Sequence, residues 1–198
     1  MQDILKLVLV CVIAYFLGNI SPSIILGRKQ GIDIKHAGSG NAGTTNALRV
    51  LGKKAALITL VIDIFKGFAA VEIGMLIAGT KAGYPCAFFA FVGHIWPVMF
   101  KFRGGKGVAV AFGALLGVNW MVALSCLGVV ILAVLITRMV SMGSVMAAFS
   151  FPVFAYLWEP DFLPLGIPMA LILLYAHRSN IKRIINGEEN KLSFKKKQ

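Results

Sequence analysis

Charged residues are scarce in this chain of 198 residues, and only eight of them are acidic. Asp, Glu, Lys and Arg make up 14% of the sequence, whereas a soluble domain usually has about a quarter. Hydrophobic residues make up 58%, the mean hydropathy is +0.82, and apolar stretches long enough to cross about 30 Å of hydrocarbon recur throughout. This composition excludes an ordinary soluble domain. It predicts an all-α, polytopic transmembrane helical bundle that forms one integral membrane domain over residues 1–198.

Cysteine is also rare, and its placement argues against a metal site. Cys11, Cys86 and Cys126 all lie inside apolar runs and lack the spacings of metal ligands, so we expect buried, reduced thiols. The chain also lacks the spaced aspartates that hold the metals of a CDP-alcohol phosphotransferase. The sequence therefore predicts neither a metal nor another cofactor.

The positive charges lie in four polar zones and predict the topology. Residues 27–54, residues 101–106, the neighbourhood of Arg138 and residues 178–198 hold six, three, one and seven Lys or Arg, which is seventeen of the twenty. By the positive-inside rule these zones are cytoplasmic, and the breaks near Lys81 and residues 159–161 are external. The formal charge of +12 is thus explained by topology, and no nucleic-acid partner is expected.

The apolar segments between these zones give the path of the chain. The first, 4–25, has neither a basic leader nor a small-residue cleavage site, so it is expected to be a retained helix. The stretch 108–137 is about 45 Å long as one helix, and one crossing would place Arg138 outside. We therefore expect two crossings that turn near residues 117–119, and seven segments in all, with the N-terminus out and the C-terminus in. The predicted segments are 4–26, 54–77, 84–100, the two halves of 108–137, 139–158 and 162–177.

The first polar zone contains a glycine-rich loop. Its residues Gly38, Ser39, Gly40, Asn41, Ala42 and Gly43 match G-x-G-x-x-G, and Asp63 follows about twenty residues later. A dinucleotide fingerprint needs a preceding strand, which a loop between membrane helices lacks. Glycines nevertheless let backbone N–H groups converge on an anion, and Thr44 or Thr45 can cap the next helix. Arg49 lies four residues after Thr45, on the same helical face, and could bind the same anion bidentately. The loop therefore predicts phosphate binding.

Two further zones carry polar groups suited to chemistry. The second is Lys101, Phe102, Arg103, Gly104, Gly105, Lys106 and Gly107, where cations and glycines meet a helix start without Walker A spacing. In the third, His177 and Asn180 share a face if the helix continues. Asp63 and Lys66 are an i,i+3 pair inside an apolar helix, which is either functional or a buried pair that holds helices together. Ser141 and Ser144, near Arg138, are further donors.

The three zones, in this order, resemble the acyl-phosphate-dependent glycerol-3-phosphate acyltransferases, the PlsY family. The first motif of that family resembles residues 38–49: Gly38-Ser-Gly-Asn, then a glycine, Thr45, Asn46 and Arg49. The second resembles Gly93-His-x-x-Pro97 followed by residues 104–107, and the third resembles His177-x-x-Asn180 with Gly187-Glu188. Arg103 stands where Lys is more frequent, and Trp96 occupies a variable position.

The resemblance implies transfer of a fatty acyl group from acyl phosphate to glycerol 3-phosphate, which gives lysophosphatidic acid and phosphate. It implies that Ser39 and Arg49 are essential, that the second-motif glycines bind glycerol 3-phosphate, that His177 and Asn180 support catalysis, and that Glu188 is structural. We expect substrate contacts from Gly38, Gly40, Asn41, Thr45, Asn46, Lys101, Arg103, Gly104, Gly105, Lys106, Gly107 and Ser141, and structural roles for Asp63 and Lys66. Either His177 or the leaving phosphate accepts the proton.

The implied setting is the bacterial cytoplasmic (inner) membrane, with a multi-pass chain and an active site that faces the cytoplasm. Expected partners are glycerol 3-phosphate, fatty acyl phosphate, membrane lipid and, transiently, the soluble enzyme that makes the acyl phosphate. One alternative is a membrane carrier for a phosphorylated metabolite. Another is a lipid acyltransferase that uses acyl-CoA or acyl carrier protein, although the H-x4-D pair of the common acyl-CoA enzymes is absent after His36, His94 and His177.

Overall fold

The computed structural model describes residues 1–192, so the last six residues of the fourth polar zone lie outside the described part. All regular secondary structure in this part is helical, which confirms the all-α prediction there. The helices are α1 (Gln2–Asn19), α2 (Pro22–Lys29), α3 (Thr44–Val50), α4 (Lys53–Ala78), α5 (Gly83–Ile95), α6 (Val108–Val118), α7 (Trp120–Thr137), α8 (Val140–Trp158), α9 (Leu163–Ala176) and α10 (Arg178–Ile185). The chain packs as two compact units, Met1–Trp120 and Met121–Gln198.

The first unit is organised around α4, which packs against α1, α5 and α6. Close helix crossings depend on pairs of glycines. A Cβ on Gly18 of α1 would overlap the carbonyl oxygen of Ala90, and a Cβ on Gly93 of α5 would overlap that of Tyr15. Gly67 of α4 and Gly113 of α6 make the same kind of reciprocal contact with the backbone of the facing helix. In lipid there is little hydrophobic driving force for helices to associate, so close van der Waals packing becomes more important. Small residues allow the helix backbones to approach closely enough for such packing.

The predicted first segment, 4–26, is interrupted between α1 and α2. Ser21 has extended backbone and Pro22 occupies the first turn of α2. Proline has no N–H to donate, and in a continuing helix its ring would clash with the carbonyl four residues earlier. It also disfavours helical backbone at the residue before it. The helix therefore ends at Asn19, and the carbonyl of Ile20 is available to a side chain from α4.

The second unit contains most of α7 and all of α8, α9 and α10. Helix α8 packs on α9 and α10, and Gly143 brings α8 against the backbone of Val130 in α7. The rings of Phe151 and Phe162 meet edge to face with centroids 6.1 Å apart. A Cβ on Gly166 of α9 would overlap the Phe151 ring, so a glycine is required there. Helices α9 and α10 meet at an angle of 57°.

Four helical stretches are long and apolar enough to cross a membrane. They are Gln2–Lys29, Thr80–Phe100, Trp120–Thr137 and Val140–Trp158, and the bent pair of Pro160–Ala176 with Arg178–Ile185 would make a fifth. Helix α4 is longer than any single helix among these, but it carries Asp63, Lys66 and Glu72. The predicted break near residues 117–119 lies at Asn119, between α6 and α7. The described part of the chain is thus all-helical with four or five candidate membrane spans, whereas seven crossings and the orientation of the termini stay predictions.

Candidate active site

Asn46 organises the first glycine loop from below. Its Oδ1 accepts a hydrogen bond from the backbone N–H of Ser39 at 2.9 Å, and its Nδ2 donates to the carbonyls of Ile34 and Ala37 at 3.2 and 3.1 Å. The side chain is 1% exposed. A buried amide with three such partners fixes the path of the backbone around it. Asn46, predicted to contact substrate, therefore builds the loop instead of presenting its side chain to solvent.

The loop places its glycines where other residues would be strained. Gly38 and Gly40 have φ of +62° and +70°, in the left-handed region, and a Cβ on Gly38 would overlap Oδ1 of Asn46. The turn raises Ser39 between them, and all three residues are exposed. The sequence predicted these glycines for anion binding, and the structure adds a reason that concerns the fold of the loop itself.

Helix α3 follows the loop and carries Arg49. Its N-cap is Gly43, and no side chain caps it, so the predicted capping by Thr44 or Thr45 is wrong. Thr44 and Thr45 are instead the first two helical residues, both half-buried like Asn41 in the loop before them. Arg49 is exposed one helical turn after Thr45, in the position expected for a side chain that reaches a bound anion.

The second glycine loop packs onto the end of α5. The N–H groups of Gly104 and Gly105 donate to the carbonyls of Ile95 and His94 at 3.0 and 3.1 Å. A Cβ on Gly104 would overlap the His94 carbonyl, and one on Gly107, where φ is +85°, would overlap the Phe91 ring. These glycines are therefore required for close approach to α5.

Two side chains of α1 hold the segment that leads into this loop. The Tyr15 hydroxyl donates to the carbonyl of Trp96 at 2.8 Å and accepts from the N–H of Val98 at 3.2 Å. Asn19 accepts from the N–H of Met99, also at 3.2 Å, and is fully buried. The path of the chain before Lys101 is thus fixed by α1.

The cations of the second loop are separated from its glycines. Lys101 and Arg103 are exposed and line a cavity together with Arg28 and Lys35, and no glycine of residues 104–107 lines it. Lys106 is half-buried and interacts with its surroundings. Lys101 and Arg103 therefore line this cavity, whereas Lys106 does not.

A buried charge cluster supports the second loop. The ammonium of Lys66 lies 2.7 Å from Oδ1 of Asp63 and 3.0 Å from Nδ1 of His94, and it donates to the carbonyl of Ile20. Both members of the Asp63–Lys66 pair are 2% exposed. The ammonium of Lys66 thus forms an ion pair with Asp63 and hydrogen bonds with the other two groups. Because Lys66 donates to Nδ1, neutral His94 carries its proton on Nε2, the atom that faces Gly105.

The second unit carries His177, Asn180 and Ser141. Nδ1 of His177 contacts the carbonyl of Leu173 at 2.9 Å, and a carbonyl only accepts, so Nδ1 is the protonated nitrogen. Neutral His177 therefore has its basic lone pair on Nε2. His177 is 3% exposed and lies at the bend between α9 and α10. The helix does not continue straight through His177, so the condition under which it was predicted to share a helix face with Asn180 is not met.

Glu189 joins the other polar groups of this unit. Its Oε1 accepts from Ser141 Oγ and Asn180 Nδ2, both at 2.8 Å, and its Oε2 accepts from Arg183 Nε at 2.7 Å. Burial raises the pKa of the Glu189 carboxyl, but the hydrogen bonds from Asn180, Ser141 and Arg183 and the charge of Arg183 hold it below its usual range. The Ser141 hydroxyl, predicted to contact substrate, thus directs its proton to Glu189.

The buried carboxylate of this segment is that of Glu189, whereas Glu188, for which a structural role was predicted, is exposed. Gly187 has φ of +74° and reverses the chain after α10, and the N–H of Glu188 then donates to the carbonyl of Arg183 at 2.7 Å. This turn leaves Glu188 exposed and directs the next side chain inward. Sequence reasoning missed both Glu189 and His94. The available signals were the adjacent glutamate after Gly187 and the position of His94 within the second motif.

Comparison with known proteins shows the family to which the chain belongs. A family model described as glycerol-3-phosphate acyltransferase matches residues 8–187. The glycerol-3-phosphate acyltransferase of Clostridioides difficile is 43% identical, covering 98% of this chain and 100% of the relative. That of Finegoldia magna is 40% identical, covering 96% and 98%.

Solved structures give the same result. The crystal structure of PlsY, an integral membrane glycerol 3-phosphate acyltransferase, in its glycerol 3-phosphate form has a TM-score of 0.89 to this chain. It is 32% identical and covers 94% of this chain and 96% of that one. The lysophosphatidic acid form of PlsY has a TM-score of 0.86. With a family model over most of its length and close relatives over nearly all of it, the chain belongs to the glycerol-3-phosphate acyltransferase family of PlsY, integral membrane acyltransferases of lipid synthesis.

Proposed function

We propose that this protein transfers a fatty acyl group from acyl phosphate to glycerol 3-phosphate, giving lysophosphatidic acid and phosphate. The observation that carries the proposal is the similarity over almost the whole chain to PlsY, crystallised in a glycerol 3-phosphate form and a lysophosphatidic acid form. One is the acceptor and the other the acylated product of this reaction. The choice of acyl phosphate as donor rests on the family resemblance of the three motifs.

The chemistry requires little covalent participation by the protein. The hydroxyl oxygen of glycerol 3-phosphate attacks the acyl carbonyl, an ester C–O bond forms, and the C–O bond to the phosphate breaks. Phosphate is a good leaving group of this mixed anhydride, so no protein nucleophile is needed. The protein has to align the two reactants, neutralise phosphate charge and accept the hydroxyl proton.

The side chains in the two units suit different parts of this task. In the first unit, exposed Ser39 and Arg49 bind substrate phosphate, together with the backbone of Gly38 and Gly40 and the side chains of Asn41 and Thr45. In the second, His177 has a neutral tautomer with Nε2 as its basic atom, and Asn180 is oriented by Glu189. The proton goes to Nε2 of His177 or to an oxygen of the departing phosphate. Glycines 104, 105 and 107 with Lys106 form the loop that binds glycerol 3-phosphate.

The proposed setting is the bacterial inner membrane, with the polar loops on the cytoplasmic side. Seven crossings with an external N-terminus place all four basic zones on that side, as the positive-inside rule requires. The acyl phosphate reaches the protein from a soluble enzyme, which contacts it transiently. The acyl tail then remains in lipid while its phosphate meets the loops.

The donor is tested by supplying the purified protein with glycerol 3-phosphate and either palmitoyl phosphate or palmitoyl-CoA. We expect lysophosphatidic acid and one equivalent of phosphate with palmitoyl phosphate only. A preparation without glycerol 3-phosphate serves as the control for hydrolysis of the donor. Product with palmitoyl-CoA and none with palmitoyl phosphate would overturn the donor assignment while leaving the acyltransferase family intact.

A further inference from the structure

A basic cavity lies at the end of α2, apart from the glycines of both motifs. Its volume is about 520 Å³, within the range of about 300–1,000 Å³ that is usual for small-molecule sites. Four cations line it: Arg28, Lys35, Lys101 and Arg103. Asp33 is the only carboxylate among the lining residues. The cavity therefore has a strong excess of positive charge.

The structure holds two of these cations in place on one aromatic residue. The ammonium of Lys35 donates to the carbonyl of Phe100 at 2.8 Å and lies 5.6 Å from the centre of its ring. The guanidinium of Arg28 lies 5.5 Å from the same ring centre. Both distances are within cation–π range. These cations are thus positioned by contacts within the protein and do not simply extend into solvent.

The charge within the cavity is not balanced internally. Burial lowers the pKa of Lys35, the charge of Asp33 raises it, and repulsion by Arg103, Arg28 and Lys101 lowers it further. Asp33 itself is shared with Nδ1 of His36, 2.8 Å away. Cations at fixed positions in a concave site favour an anion, and guanidinium groups in particular match the oxygens of phosphate.

The walls of the cavity add an apolar component. Ile24 and Met99 line it beside Phe100, and Ile24 belongs to the apolar stretch Gln2–Lys29, which is long enough to cross the membrane. Arg28 lies one turn beyond Ile24, so the cavity is at the end of this stretch, where a helix that crosses the membrane would pass from hydrocarbon to head groups. A soluble phosphate compound would make no use of the apolar wall, whereas a lipid would.

We propose that this cavity binds the phosphate head group of an anionic membrane lipid, with its glycerol and proximal chain against Ile24 and Phe100. Clusters of basic residues at the end of a membrane helix are suited to anionic head groups. The inference concerns lipid binding by residues other than the motif glycines, Arg49 and His177. Of the lining cations, Lys101 and Arg103 are also predicted substrate contacts, whereas Arg28 and Lys35 are not, and the test therefore uses Arg28.

The test measures lipid binding to the purified full-length protein in phosphatidylcholine nanodiscs. Dioleoyl phosphatidylglycerol is titrated in, bound lipid is counted by native mass spectrometry, and protein unfolding is followed by thermal melting. We expect one saturable site, and about tenfold weaker binding in Arg28→Gln, because one charge-assisted phosphate contact is lost. Lys29→Gln is the matched control: Lys29 is the next cation of the same helix, is exposed, and does not line the cavity.

The outcomes separate the lipid from other sources of phosphate and from surface charge. Equal weakening by Arg28→Gln and Lys29→Gln would mean general attraction to an anionic surface and would overturn the proposal. Displacement of the lipid by inorganic phosphate at similar concentration would reassign the site to free phosphate. If Arg28→Gln melts at a much lower temperature without lipid, Arg28→Lys distinguishes a folding defect from the loss of a lipid contact. This variant should restore folding and recover part of the lipid affinity.

Discussion

Gly105 lies directly against the imidazole ring of His94, so closely that a methyl group on Gly105 would overlap the ring. Nε2 is the nearest atom, and Nδ1 of the same ring accepts from buried Lys66 at 3.0 Å. The substrate-binding loop assigned to the second motif is therefore seated on a side chain whose orientation is fixed by a buried ammonium. A substitution at Gly105 therefore changes the packing of the loop on His94 as well as any contact of the loop with phosphate.

We predict that Gly105→Ala raises the KM for glycerol 3-phosphate roughly tenfold with a smaller effect on kcat. The added methyl displaces the loop from His94, and overpacking of this kind costs about 1–3 kcal/mol. Steady-state kinetics over a range of glycerol 3-phosphate concentrations measures the effect. Gly128→Ala is the control, because nothing lies within 4 Å of a Cβ at Gly128. An unchanged KM with a lost kcat would remove this loop from acceptor binding.

We also predict that Lys66→Met destabilises the protein strongly. The substitution leaves the carboxylate of Asp63, 2% exposed, without its ammonium partner, and breaking such a buried pair costs about 3–5 kcal/mol. Replacing both partners by apolar residues is often nearly neutral. Asp63→Leu combined with Lys66→Met should therefore melt closer to the wild type than Lys66→Met alone. A double variant less stable than the single one would contradict a purely electrostatic penalty.

The large features of this fold follow from patterns that a sequence displays. Length and the charge of Arg138 predict a break near residues 117–119, and the structure ends α6 at Val118. The interruption at Pro22 could have been predicted in the same way, since proline removes a helical hydrogen bond. Periodicity and charge are properties of the local sequence, so they predict these features without knowledge of the tertiary contacts.

The details of the site depend on contacts that a sequence does not display. Glu188 and Glu189 are identical in type and adjacent, and only the turn at Gly187 decides which of them is buried. Asn46 has a polar amide of the kind that often binds ligands, but in this structure the amide is directed inward and bonds to three backbone groups. Both assignments required knowledge of side-chain direction, which the path of the backbone sets.

The Glu189 network predicts unequal effects of two neighbouring substitutions. Glu189→Ala removes the acceptor for Ser141, Asn180 and Arg183 and should cost about 3 kcal/mol of stability together with most activity. Glu188→Ala is the control and should be nearly neutral, because Glu188 is exposed. Thermal melting in detergent compares the two. Similar losses in both variants would contradict the assignment of the structural role to Glu189.

The same network predicts a pH dependence with a definite sign. The pKa of Glu189 in the folded protein is held below its usual value, so the unfolded chain binds a proton more readily. The stabilisation is therefore complete above the unfolded pKa of about 4.3 and is lost as pH falls from there through the folded pKa. Melting temperatures measured from pH 6 down to about pH 3 should fall more steeply for the wild type than for Glu189→Gln. Parallel profiles would show that protonation of Glu189 does not cause the loss of stability at low pH.

The proposed topology predicts which positions an impermeant reagent reaches. In a variant without Cys11, Cys86 and Cys126, a cysteine at Thr80 should be labelled from outside intact cells. Cysteines at Ser39 and Lys191 should be labelled only after the membrane is permeabilised. The same protection is expected at Ser193, which lies outside the described residues. External labelling at Lys191 with protection at Ser39 would mean that residues 108–137 cross the membrane once.

Arg49 gives the sharpest separation between a binding role and a topological one. It is exposed on α3, one turn after Thr45, and its guanidinium can contact phosphate bidentately, which the point charge of an ammonium cannot reproduce. We predict that Arg49→Lys loses most activity, by about ten- to a hundredfold, since a charge-assisted contact is worth roughly 1.5–3 kcal/mol. If Arg49 served only the positive-inside rule, Lys would be nearly as good, because that rule counts charge alone. Rates of Arg49→Lys and Arg49→Ala, measured on folded protein in membranes, decide between these roles: full activity in Lys with loss in Ala would show that charge suffices and that no bidentate contact is made.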